Sequence, residues 1–157
     1  MTVMPRLYGL ACPVACSLDL LGDRWTLLIV RDLLQGRGRF QELIESLPGI
    51  APNILSDRLK LLEEHGIVSR RFYSDHPPRA EYVLTEKGGE LGVVIGALAS
   101  WGARHAGSPF TPVHATCGQP AEAVYRCSNC AELLSREAVE LQRSGAAANL
   151  EGPVEAG

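Results

Sequence analysis

Apolar residues recur along this chain at a helical period, give way to two short strand-like runs, and then return to the helical period. In "CSLDLLGDRWTLLIVRDLLQG", Leu18, Leu21, Trp25, Leu28, Ile29 and Leu33 come back at steps of three and four. That spacing predicts helix, broken near Gly22. The glycines of "QGRGR" predict a loop. "RFQELIESLPG" predicts a short helix with Phe40, Leu43, Ile44 and Leu47 on one face, stopped by Pro-Gly. Together these segments are expected to form a compact helical core.

The stretch "GIAPNILSDRLKLLEEHGIVSRRFY" follows, and Pro52 suits the first position of a helix because its missing N–H would be unpaired there anyway. At about 100° per residue, Leu55, Leu59 and Leu62 fall within roughly 60° of one another and predict one buried stripe. Asn53, Ser56, Asp57, Lys60 and Glu64 gather on the other side, and Gly66 is placed to end the helix in a left-handed cap. A polar second face is common to most surface helices, so its meaning depends on context. Here two short helices meet through the tight link "LPGIAP", and "IVSRRFY" and "AEYVLT" then read as two strands joined by "SDHPPR". A helix-turn-helix followed by a basic hairpin is a winged arrangement whose second helix is shaped to enter a DNA major groove. Arg70, Arg71 and Arg79, with His76 at the tip, are candidates to grip phosphate or minor groove.

Composition and charge narrow the classes. With 46% hydrophobic and 21% charged residues the chain is globular, and its net charge of −3 argues against coating nucleic acid by charge alone. Charge is unevenly placed: residues 66–80 carry three arginines against Asp75, whereas from Glu90 onward glutamates outnumber arginines. The apolar run "LGVVIGALASWGA" is too short to span a membrane. Pro5 and Arg6 leave too short an apolar core for an export signal, so a cytoplasmic location is expected. Five cysteines there imply free thiols, metal ligands or redox chemistry before disulfides.

Residues 9–105 resemble the HxlR-type winged helix-turn-helix regulators of bacteria. The likeness rests on "CPVACSLDLLGDRWTLLIVRDLLQG", "RFQELIESLPGIAPNILSDRLKLLEEHGIVSRR" and "PPRAEYVLTEKGGEL", in that order and spacing. The resemblance implies a mainly α fold with a small β-hairpin wing and a homodimer on a palindromic operator, usually repressing and sometimes activating. It places Pro52, Asn53, Ser56, Asp57 and Lys60 on the groove-reading face, with Asn53 suited to adenine, and Arg39 at a phosphate. Arg58 borders the leucine stripe, where packing or an internal ion pair competes with a DNA contact. Ala51 stands where a Ser or Thr cap is usual.

After Thr85, "EKGGELGVVIGALASWGARHAG" is apolar nearly all round; with Leu91, Val94, Ile95, Leu98 and Trp101 it is expected to supply a dimer interface, the alternative being completion of the core. The expected organisation is a DNA-binding and dimerisation domain at 1–106, a linker at 107–112, a zinc-ribbon-like segment at 113–140 and a disordered tail at 141–157. In "HATCGQPAEAVYRCSNC", His114 and Cys117, then Cys127 and Cys130, have the spacing of two metal-binding turns. Four N/S ligands suit a structural Zn²⁺ and leave no open position for catalysis. Cys12, before Pro13, matches the position of an oxidant- or electrophile-sensing thiol in some family members, and Cys16 is expected in the core.

Two other classes compete. "CSNC" as a redox dithiol of an enzyme needs a thioredoxin-like βαβ context, which the chain does not offer, so no enzymatic activity is expected. A protein-interaction adaptor built on the winged helix is the alternative, because residues 23–87 balance ten basic against ten acidic side chains. An adaptor would lack both sequence preference for DNA and a steep salt dependence.

Overall fold

Pro13 opens α1 (Pro13–Leu21), and Gly22 stops it by donating its N–H to the Leu18 carbonyl at 2.8 Å. The computed structural model describes residues 7–75 and 77–142. Asp23 starts the next helix, α2 (Thr26–Leu34). Its carboxylate accepts the N–H groups of Trp25 at 2.8 Å and Thr26 at 3.2 Å, and the Thr26 hydroxyl as well. Those donors would otherwise be unpaired at a helix start. In α3 (Phe40–Ser46), Glu42 turns back to accept the Arg39 N–H at 2.9 Å.

A buried carboxylate fixes α3 against α2. Asp32 is fully buried, and its oxygens accept from Arg31 Nε at 2.9 Å, from Arg37 at 3.3 Å and from the Ser46 hydroxyl. Burying such a charge is tolerable only when it is paired and hydrogen-bonded, and here both conditions hold.

Helix α4 (Pro52–Glu64) has Pro52 in its first turn and no side-chain cap at Ala51, and it gives way to Gly66 at φ +67°. Leu55, Leu59 and Leu62 are 0% exposed and meet Ile29, Val30, Leu33, Leu43, Leu47 and Ile50 in the core. Strands β1 (Val68–Asp75) and β2 (Pro78–Leu84) form an antiparallel hairpin that pairs Val68 with Leu84, Arg70 with Tyr82 and Arg71 with Glu81, and its register slips between Phe72 and Ser74. The strands run further toward the tip than the sequence pattern suggests, so Arg79 lies within β2 opposite Ser74 rather than in the connecting turn. Gly38 lies flat against β2: its carbonyl accepts the Tyr82 N–H at 2.7 Å, and a Cβ there would fall 2.4 Å from the Tyr82 oxygen.

The single helix expected after Thr85 is two, α5 (Glu86–Gly89) and α6 (Leu91–His105), joined at Glu90. The Thr85 hydroxyl accepts the Gly88 N–H at 3.1 Å and donates to the Gly66 carbonyl at 2.6 Å, so one side chain caps a helix and ties it to the start of the hairpin. Leu91 and Ile95 pack on the core, whereas Val93, Val94, Leu98 and Trp101 are exposed. Leu18 and Leu28, counted with the core by spacing, are exposed too. None of the described helices is long and apolar enough to cross a membrane.

Beyond α6 the chain forms small turns, with a bridge between Val113 and Pro120, a pairing of β3 (Tyr125–Arg126) with β4 (Leu133–Leu134), and a 3-10 turn at Arg136–Ala138. Most of the tail expected from 141 onward, 143–157, lies outside the described residues.

Replacing Leu59 by alanine is expected to cost roughly 2–5 kcal/mol in urea denaturation, because it empties a fully buried site. Lys60→Ala, one residue further on the exposed face, is expected to stay within about 0.5 kcal/mol of the parent. Equal losses would mean that α4 is not seated as described.

Candidate nucleic-acid interface

The leucine stripe decides which way α4 faces. With Leu55, Leu59 and Leu62 turned inward, Pro52, Asn53, Ser56, Asp57 and Lys60 are all exposed, and these are the residues that the sequence placed on the reading face. At the start of α3, Arg39 is exposed and its guanidinium lies 5.0 Å from the centre of the Tyr73 ring. That cation–π contact links the first helix of the motif to the first strand of the hairpin.

The hairpin arginines are divided by the pleat, since neighbouring strand residues point to opposite faces. Arg70 turns toward α4, where Nε pairs with Glu63 at 3.0 Å. That carboxylate, first by its hydrogen bond and then by its charge, raises the Arg70 pKa further above neutrality. Arg71 turns the other way and is clasped by Glu81, its partner across the hairpin, with Nε at 2.9 Å. Arg79 is exposed on β2. His76 lies outside the described residues. Ser56, Lys60, Glu63, Glu64, Arg70 and Tyr82 line a shallow recess between α4 and the hairpin.

Most of these cations therefore already have acidic company. Lys60 lies 3.8 Å from Glu64, Arg70 pairs with Glu63 and Arg71 with Glu81. The glutamates were missed in the sequence because the pairing of Glu81 with Arg71 depends on hairpin register, which spacing alone does not set. All three pairs are at least partly exposed, and such pairs contribute about 0–1 kcal/mol each. A phosphate can displace so weak a partner.

Arg58 does not belong to the exposed face. Its Nε lies 3.4 Å from Asp23, the residue that caps α2, and both side chains are mostly buried. That nitrogen has no hydrogen-bond partner, so Asp23 offers charge rather than a well-formed hydrogen bond. The ion pair, rather than a DNA contact, accounts for this arginine.

The cysteines fall into two groups. Cys12 is half-buried at the start of α1. Cys16, expected in the core, is exposed, and its thiol donates to the Leu10 carbonyl at 3.6 Å; its helical face turns away from Ala15, which is buried. In the C-terminal segment, His114 Nδ1 lies 3.1 Å from Cys117 Sγ. Cys127 and Cys130 share a second turn, where the Cys130 N–H, then the Asn129 N–H and the Cys130 thiol, hold the Cys127 thiol below its ordinary pKa. Among the described residues, no three His, Cys, Asp or Glu side chains are grouped as the ligands of one ion; the four predicted ligands stand two and two.

The HxlR-like helix-turn-helix family model matches residues 20–109. Rv3095, an HTH-type transcriptional regulator of Mycobacterium tuberculosis, is 42% identical over 123 residues, covering 76% of this chain and 77% of its own. The crystal structure of PA1607, a candidate transcription factor, shares 36% identity over 85% of this chain and 96% of its own, with a TM-score of 0.72. The redox regulator HypR in its oxidised form is 35% identical over 60% of this chain and 97% of its own, with a TM-score of 0.56.

Asp23→Ala should lower stability by about 1–2 kcal/mol, through the lost cap and the stranded Arg58 charge. Arg58→Met should change the melting temperature while leaving the salt dependence of DNA binding as it was. A reduced salt slope in Arg58→Met would return that residue to the DNA interface.

Proposed function

Because the chain belongs to the HxlR-like helix-turn-helix family and is a helix-turn-helix transcriptional regulator, we infer that it binds a palindromic operator as a homodimer and represses transcription there. The observation that carries this reading is α4, anchored by three buried leucines and exposing Asn53, Ser56, Asp57 and Lys60 beside an arginine-bearing hairpin. Asn53 suits bidentate pairing with adenine in the major groove, Ser56 a base or phosphate, and Arg39, Arg70, Arg71 and Arg79 the flanking phosphates. A dimer follows from the size of such an interface: one motif buries too little surface for high specificity, and a two-fold places two reading helices about 34 Å apart on one DNA face. The exposed Val93, Val94, Leu98 and Trp101 of α6 supply an apolar surface for the second copy.

The same reading includes an oxidant signal, supported by the likeness to HypR, which is described as a redox regulator. A hydroperoxide oxidises the Cys12 thiol to a sulfenic acid and is itself reduced to water or an alcohol. The half-buried site of Cys12 at the start of α1 then has to admit an extra oxygen, which disturbs the N-terminal segment beside it.

Selection of bound duplexes from a random DNA pool at physiological salt tests the core of this reading, with an enriched palindrome of half-sites one helical turn apart as the expected result. Asn53→Ala should relax base preference at one position per half-site. Arg71→Ala should weaken binding to every sequence and reduce the salt slope by about 1. Glu81→Gln should act oppositely and tighten binding, since it frees Arg71 and removes a charge that repels phosphate. Absence of any enriched sequence would favour a protein-interaction adaptor instead.

Peroxide should release the operator reversibly in the parent and in Cys117→Ser, but not in Cys12→Ser. Loss of the response in Cys16→Ser alone would move the sensor to the more exposed thiol.

A further inference from the structure

The segment after α6 is ordered without a core. Among its described residues, 107–142, none is buried, and Phe110, Val113, Val124, Tyr125 and Leu133 all stand exposed. Its only paired strands are two residues long. Hairpins of that size are not stable in water by themselves, and units this small usually depend on a disulfide or a metal. All three of its cysteines are free.

The two turns that carry the predicted ligands are built on one plan. In the first, the His114 N–H donates to the Gln119 carbonyl at 2.8 Å and the Gly118 N–H returns to the His114 carbonyl at 2.7 Å. In the second, the Cys127 N–H donates to the Glu132 carbonyl at 2.9 Å and the Ala131 N–H returns to the Cys127 carbonyl at 3.0 Å. Each turn places a left-handed residue directly after its second ligand, Gly118 at φ +70° and Ala131 at φ +60°. For glycine this is free of strain. For alanine it costs about 1 kcal/mol or more, and Ala131 is the sole described non-glycine residue with positive φ. A strained alanine kept in register with an unstrained glycine indicates that the turn shape itself is required. That shape brings a nitrogen and a sulfur together in one turn and two sulfurs together in the other.

We propose that His114, Cys117, Cys127 and Cys130 bind one Zn²⁺, and that the ion supplies the stability that burial does not. Three thiolates and an imidazole match the tetrahedral preference of zinc, and with four protein ligands the site is structural. Because the donors stand two and two, the ion has to draw the turns together. Binding converts three thiols to thiolates and releases their protons to solvent, so affinity falls as pH falls.

The test is titration of the reduced, metal-stripped full chain with Co²⁺, followed by competition with Zn²⁺. The expected result is saturation at one ion per chain, with the intense visible bands of tetrahedral cobalt and a sulfur-to-metal charge-transfer band, both abolished by Zn²⁺. Cys117→Ser and Cys130→Ser should each lose that spectrum, and Cys16→Ser should keep it. Amide exchange across 113–134 should slow by roughly tenfold or more on adding Zn²⁺, while exchange in α2 and α4 stays unchanged. That unchanged exchange also shows that each serine variant is folded. A weak octahedral spectrum, two ions per chain, a full signal in Cys130→Ser, or equal protection of 113–134 without metal would each overturn the proposal.

Discussion

Everything proposed for the DNA-facing surface depends on the seating of three leucines. Leu55, Leu59 and Leu62 are completely buried, each worth roughly 1.5–3 kcal/mol relative to exposure, and together they fix the rotation of α4. No polar residue on the opposite face contributes comparable energy, so that face is free to be chosen for recognition. Asp23 and Asp32 serve the same end by polar means. One caps α2 and holds the Arg58 charge of α4, and the other pins α3 to α2 through Ser46. Reading side chains need a rigid base, because an error of one residue in the rotation of a helix moves every contact.

The glutamates beside the cations give the interface a second property. An arginine without a partner would raise affinity for any polyanion, whereas one that must first leave Glu63 or Glu81 gains only the difference between carboxylate and phosphate. Exposed pairs of this kind contribute little, so the exchange costs little at a phosphate that lies well. At a poorly placed phosphate the carboxylate stays and repels. On the DNA-facing role proposed above, a net charge of −3 is no obstacle, because discrimination would rest on geometry and not on excess positive charge.

Which features could be read from the sequence follows from the range of the interactions behind them. The orientation of α4, the proline at its start and the left-handed Gly66 at its end depend on residues at most a few positions apart, and helical period exposes them. Arg58 was ambiguous because Asp23 is remote in sequence, and only tertiary packing unites them. The pairing of Arg71 with Glu81 required the hairpin register, and the placement of Arg79 within β2 rather than in a turn required its length. Cys16 misled because cysteine is commonly buried, yet on α1 the inward position is taken by Ala15. Leu18 and Leu28 repeated at the right spacing but point outward, since spacing identifies a face without saying what covers it.

Apolar side chains left uncovered on the helices bear on assembly. Helix α6 commits Leu91 and Ile95 to the core, and Gly92 faces Leu34 of α2, whose side chain a Cβ would meet in ordinary contact at 3.7 Å. The remaining faces of these helices carry Val93, Val94, Leu98, Trp101, Leu34 and Leu28, all exposed. A helix apolar on both sides is stable in water only if its second side is also covered. On the dimer proposed above, a second copy provides that cover, and the contact sets the spacing of the two reading helices. Cys12 and Cys16 lie on α1 or at its start, near the exposed Val14 and Leu18. On the oxidant signal proposed above, a chemical change there would fall beside these apolar side chains of α1 rather than on the face of α4 proposed to read DNA.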